Sequence, residues 1–144
     1  KEEILFEVMA SHLRGLDAAA EAVMALELSP PNRLRELAQA LMRLYVGAAA
    51  RHKVLLNELD ALPPARRGEI VARQRRLIET VEGLLIQIQP ALAARPGLAR
   101  PAAMLFFGML NWTHTWFRAD GPASAEAVAD LAADLTLTGL GGLT

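Results

Sequence analysis

Apolar side chains recur every three to four positions along most of this chain, and strand-like alternation is absent. That spacing gathers them on one face of a helix, so the chain reads as all-α. The first stripe is Leu5, Met9, His12, Leu16, Ala19 and Val23, continued by Ala25 and Leu26. Ser29-Pro30-Pro31 interrupts it. Ser29 suits an N-cap, and Pro30 suits the first helical position, where no backbone amide is needed. A second helix follows, with Leu34, Leu37, Leu41, Tyr45, Ala48 and His52 on one face. It should bend or stop between Gly47 and Lys53, ahead of a short extra helix over 54–59.

Asp60-Ala61-Leu62-Pro63-Pro64 is the next break. A helix over 65–89 turns Ile70, Gln74, Leu77, Val81, Leu84 and Ile88 inward and leaves Arg66, Arg67, Arg73, Arg75 and Arg76 largely outside. Pro90 and the Arg95-Pro96-Gly97 turn end it. Another helix spans 101–118, stopped by Ala119-Asp120-Gly121-Pro122. The last runs over 124–139, where Val128, Leu131, Leu135 and Thr138 line up. Gly139-Leu140-Gly141-Gly142 then stops it and begins a frayed tail. The expected architecture is five to six helices in a single domain over residues 1–144.

Composition narrows the function classes. Apolar residues make up 53% of the 144, charged residues 22%, and the net charge is −1. Such a chain folds, and its overall field draws it neither to nucleic acid nor to anionic lipid. It has no cysteine, which excludes disulfides and thiolate chemistry and fits a cytoplasmic location. The uncharged run between Arg100 and Arg118 is too short and too polar for a membrane span. Lys1-Glu2-Glu3 enters a helical pattern directly, without an initiating Met or a signal peptide, as in a chain cut from something longer.

One segment stands apart. Phe106 to Gly121 carries both tryptophans, three of the four phenylalanines and one of the three histidines. Leu105, Met109, Trp112 and Trp116 form one stripe, Phe106, Leu110, Thr113 and Phe117 the next, and Phe107, Asn111, His114 and Arg118 a third. A helix apolar on more than one side must meet both a core and a partner. The expected dimer interface is Phe106, Leu110, Thr113, Phe117, Val128, Leu131, Leu135 and Thr138. The Ala-rich last helix permits close approach, so two helices from each of two chains would form a four-helix bundle with two-fold symmetry.

No Gly-rich phosphate loop, nucleophile elbow or carboxylate pair on an apolar face occurs. The chain reads as no enzyme, with no cofactor. His12, His52 and His114 lack the i, i+4 or Glu-x-x-His partners of a metal site, so no metal is expected. They read instead as structural or pocket-lining groups, with His12 and His52 able to converge between the first two helices. The expected ligand cavity is lined by His12, Leu16, Met42, Tyr45, Val46, Ala49, His52, Leu84, Leu105, Met109, Asn111 and Trp112. Arg66, Arg67, Arg73 and Arg76 are candidate phosphate contacts, for example to a coenzyme A thioester, against the competing reading of a solvated helix face.

Three stretches carry a family resemblance. Lys1-Glu2-Glu3-Ile4-Leu5 resembles the segment after the recognition helix in TetR/AcrR-type transcriptional regulators. Asn111 to Leu140, NWTHTWFRADGPASAEAVADLAADLTLTGL, resembles the last two helices of a subgroup regulating fatty-acid, phenylacetate and sterol-ring degradation. Leu55 to Leu59 and Leu62 to Arg67 are similar to it as well. The resemblance implies the effector-binding and dimerisation domain of a one-component repressor. Its inducer would be lipophilic, with an acyl-CoA or related acid the candidate class, and binding would release operator DNA. It also implies a helix-turn-helix ahead of Lys1, the part that would touch DNA. A helical lipid-binding or enzymatic bundle, or a dimerisation module without ligand, are the alternatives.

Overall fold

The computed structural model describes residues 1–143, and within them it is all-helical. Six α-helices follow one another: α1 (Glu2–Met24), α2 (Pro30–Gly47), α3 (Ala49–Asn57), α4 (Pro64–Ile88), α5 (Ala99–Asn111) and α6 (Ala125–Gly141). Short 3₁₀ turns lie at Leu59–Ala61, Pro90–Leu92 and Trp112–Thr115. The predicted starts hold for local reasons. Ser29 Oγ accepts from the Asn32 amide at the head of α2, and Ser124 Oγ accepts from Ala127 at the head of α6. Each satisfies one of the amides that a first helical turn leaves unpaired. Gly97, at φ 81°, makes the turn before α5 in a region that favours glycine.

Two boundaries differ from expectation by several residues. The break after α2 falls at Ala48, and α3 begins at once with Ala49, so His52 belongs to α3 rather than to a continued α2. The aromatic helix stops at Asn111 instead of 118. Its continuation tightens because three side chains take carbonyls that an α-helix would give to amides. Thr113 Oγ1 donates to Leu110 O (2.5 Å), His114 Nδ1 to Asn111 O (2.8 Å) and Thr115 Oγ1 to Trp112 O (2.7 Å). Such local bonds favour 3₁₀ geometry over α.

α2 lies at the centre, packed on α1 and α6, while α4 packs on α5. Leu34, Leu37, Ala38, Leu41 and Met42 of α2 are fully buried. Buried Ala129, Ala132 and Ala133 allow α6 to lie close, and Gln39 Nε2 donates to Asp130 Oδ1 (2.6 Å) beside an Arg35–Asp134 ion pair. Gln89 Nε2 donates to the carbonyls of Leu140 and Leu143, tying the end of α6 to the loop after α4. α6 therefore runs to Gly141, two residues past the predicted stop. The rest of the expected frayed tail includes Thr144, which lies outside the described residues. Among the described residues no helix is long and apolar enough to cross a membrane.

Candidate functional site

Three helices and the end of a fourth converge on one polar cluster within this apolar interior. His12 comes from the buried face of α1, Tyr45 from the last turn of α2, His52 from α3 and Asn111 from the end of α5. The break at Ala48 makes the cluster, because it folds the His52 ring back onto Tyr45. The two rings stack with centroids 3.7 Å apart and planes 13° from parallel. His12 Nε2 and His52 Nδ1 are 3.0 Å apart and share a hydrogen bond.

Both imidazoles are neutral at neutral pH. Burial lowers His52 to about 4, and His12 and His114 push it the same way, while the Asn111 side chain opposes them. Burial also lowers His12, assisted by Arg51, and raises the Tyr45 phenol. An opposing effect is what an amide oxygen produces when it faces a ring N–H. One of the two rings donates to the other across the His12 Nε2–His52 Nδ1 contact, which requires at least one of these nitrogens to carry its proton. His52 Nε2 and Asn111 Oδ1 are both sealed from solvent and make no strong hydrogen bond; the Asn111 side chain is the weak partner that acts on the His52 ring.

The stacked Tyr45–His52 pair is a wall shared by two cavities. On one side lies an apolar chamber of about 160 Å³ between α1, α3, α4 and α5. Leu13, Leu16, Leu55, Leu56, Gln74, Leu77, Ile78, Met104, Phe107 and Asn111 complete its lining, and no charged side chain is among them. On the other side lies a more polar pocket of about 380 Å³, lined by Val46, Ala49, Ala50, Lys53, Thr113, His114, Phe117 and Ala119. A separate groove of about 630 Å³ runs between α1 and α4, with Asp17, Arg76 and Leu84 on its walls. Among the described residues no cluster of three or more His, Asp or Glu is arranged to hold a metal.

The expected cavity residues scatter in an informative way. Leu16 and Asn111 reach the chamber, Val46 and Ala49 the polar pocket, and Tyr45 and His52 both. His12 lines neither and acts through its bond to His52. Met42 is sealed in the core beneath Thr113, and Leu84 faces the α1–α4 groove. Leu105 and Trp112 point outward, 72% and 64% exposed, and Met109 is half-buried against the core. Of the expected interface, the α5 part is turned inward and the end of α6 outward. Phe106, Leu110 and Thr113 are buried, Phe117 and Val128 half-buried, while Leu131, Leu135 and Thr138 are exposed.

The two stripes of α5 are therefore exchanged. Periodicity identifies stripes but not which one meets the core, and polar satisfaction decides it here. Thr113 closes its hydroxyl onto Leu110 O and can be buried, whereas each indole N–H needs a partner or water. The third stripe, through Phe107 and Asn111, is the one that reaches the chamber. Leu13, Leu55, Leu56, Ile78, Met104 and Lys53 also line the cavities, outside the expected lining; Leu55 and Leu56 follow His52 at helical spacing, a signal present in the sequence.

The arginines are engaged elsewhere. Arg66 bonds Glu3 (2.6 Å) and lies 4.3 Å over the Phe6 ring, and Arg67 pairs with Asp60 (3.8 Å). Arg73 and Arg76 both act on the Asp17 carboxyl, which burial raises. None of the four lines the chamber or the polar pocket, where Lys53 supplies the cation.

Comparison with known proteins supplies the family. Residues 27–140 match the tetracyclin repressor-like C-terminal domain. The chain belongs to the TetR family. Its fold is similar to that of a TetR-family transcriptional regulator from Bordetella parapertussis, 37% identical, with a TM-score of 0.90 over 94% of this chain and 71% of that one. PfmR from Thermus thermophilus is 31% identical, with a TM-score of 0.82 over 95% of this chain and 75% of its own. AibR, solved with isovaleryl coenzyme A and operator DNA, is 25% identical, with a TM-score of 0.79 over 93% and 73%. Among curated proteins, none matches. This TetR-like domain thus carries its polar cluster where four helices of the family fold meet.

Proposed function

We propose that this chain is the effector-binding and dimerising part of a TetR-type repressor, which takes a lipophilic small molecule against the Tyr45–His52 wall. The observation that carries the reading is the apolar chamber itself, walled on one side by the stacked Tyr45–His52 pair and lined by Gln74 and Asn111 among apolar side chains. An apolar pocket with a few convergent polar groups is the usual form of a small-molecule site. The candidate ligand class is an acyl-CoA thioester or related lipophilic acid, in keeping with the isovaleryl coenzyme A bound by AibR. The acyl chain would enter the chamber, and the nucleotide end would stay outside it.

Release of operator DNA requires the ligand to favour one conformation over another. The His12–His52 bond offers the linkage, since a ligand that moves His52 also moves the middle of α1. Operator contact belongs, in this reading, to a part of the intact protein outside these 144 residues. The dimer would form through α5 and α6, where Leu105, Trp112, Trp116, Leu131 and Leu135 are exposed.

Ile78, half-buried on the chamber wall, offers the test. Calorimetry should show octanoyl-coenzyme A binding to the wild-type chain and at least about tenfold weaker binding to Ile78→Trp, whose indole fills the chamber. Equal binding by a folded variant would move the site elsewhere.

A further inference from the structure

One polar group at the chamber wall is neither paired nor sealed. Tyr45 is only 5% exposed. Its hydroxyl meets no hydrogen-bond partner among the described residues, yet it is not one of the sealed polar atoms, so it keeps a small surface open. Tyr45 borders both the chamber and the polar pocket. We infer that this hydroxyl donates to an acyl carbonyl of the ligand, so that the site reads a carbonyl-bearing chain rather than a hydrocarbon alone. This rests on the ligand site proposed above and names the group that the site reads.

The environment keeps the phenol a donor. Burial raises its pKa, so it stays neutral and holds its proton. A purely apolar ligand leaves that proton unpaired in a site emptied of water. A carbonyl oxygen accepts it and has no donor of its own to satisfy. An ionised carboxylate would accept too, but no charged side chain lines the chamber to offset its removal from water. Gln74, half-buried on the same lining, also has no partner among the described residues. Its flexible amide can turn to water when no ligand is present. The Tyr45 ring cannot, because it is stacked on His52 with centroids 3.7 Å apart, and His12 bonds His52 in turn. Size agrees with this assignment. A cavity of about 150 Å³ takes a six-carbon molecule such as benzene, and this chamber is about 160 Å³. A six-carbon acyl chain therefore fills it, which puts the carbonyl against the lining rather than in the middle.

Two probes that differ only at the carbonyl test this: hexanoyl-coenzyme A and S-hexyl-coenzyme A, the thioether in which a methylene replaces the C=O. Calorimetry at neutral pH should show the wild-type chain binding the thioester roughly tenfold more tightly than the thioether. Tyr45→Phe keeps the ring and its stack on His52, so it should bind both probes alike, at the wild-type level for the thioether. The variant should also unfold at no lower temperature than the wild type, since it loses no bond within the protein. A clearly lower unfolding temperature would give the hydroxyl a partner in the protein and overturn the inference. Equal binding of the two probes by the wild type, or a thioester preference that survives in Tyr45→Phe, would overturn it too while leaving the site in place. Binding of neither probe would overturn the chamber as a ligand site, and this inference with it.

Discussion

At the residue scale, a single bond organises the site. His12 and His52 sit on buried helix faces where an apolar residue would pack without cost, and each spends its polarity on the other. Their burial has a consequence for stability. The folded His52 titrates at about 4, below its ordinary 6.5, so between these values the unfolded chain binds a proton that the folded chain refuses. The contribution is fully present above about pH 6.5 and is lost as pH falls toward 4. For a ring with some access to water it amounts to about 2 kcal/mol. Urea unfolding at neutral pH and at about pH 4.5 should show the wild-type chain losing that much more than His52→Phe. Parallel losses would place the acid sensitivity in other groups.

Asn111 and Trp112, neighbours in sequence, show what the sequence conveyed about single residues. Both belong to the expected cavity lining, yet only Asn111 turns inward. The difference comes from where α5 tightens into its 3₁₀ turn, which follows from hydroxyl and imidazole bonds that no periodicity encodes.

At the scale of elements, helix existence was legible and helix facing was not. Ser29-Pro30, Pro63-Pro64 and Ser124 mark where helices begin, because caps and prolines act within a few residues. The orientation of α5 depends on what α2 and α4 offer from elsewhere in the chain. Leu105 and Trp112, expected to line the cavity, are exposed together with Trp116, and α6 adds Leu131 and Leu135. Two large apolar stripes on adjoining helices are more than scattered surface residues. Association through them should bury more than the ~1,000 Å² of a biological interface. Leu131→Glu combined with Leu135→Glu should sediment as a monomer with unchanged helicity, since both side chains are outside the core. A persistent dimer would put the interface on another face.

At the scale of the whole molecule, six helices leave a chamber instead of a filled core. The family fold was legible from the Asn111–Leu140 run, since the turn after α5 and the helix α6 carry their pattern locally. The cavity was only half legible, because its walls come from α1, α2, α3, α4 and α5, whose mutual placement is a property of the assembled fold. Tyr45 and His52 were identifiable as polar points; that they form one stacked wall depends on the break at Ala48.

The central claim is that this chamber takes the apolar end of a small effector. Calorimetric titration of straight-chain acyl-coenzyme A thioesters, from butanoyl to decanoyl, tests it most directly. Each added pair of carbons should tighten binding roughly tenfold, at about 0.8 kcal/mol per buried methylene, and the gain should cease near about six carbons as the chamber fills. Affinity independent of chain length, or no binding across the series, would contradict the account.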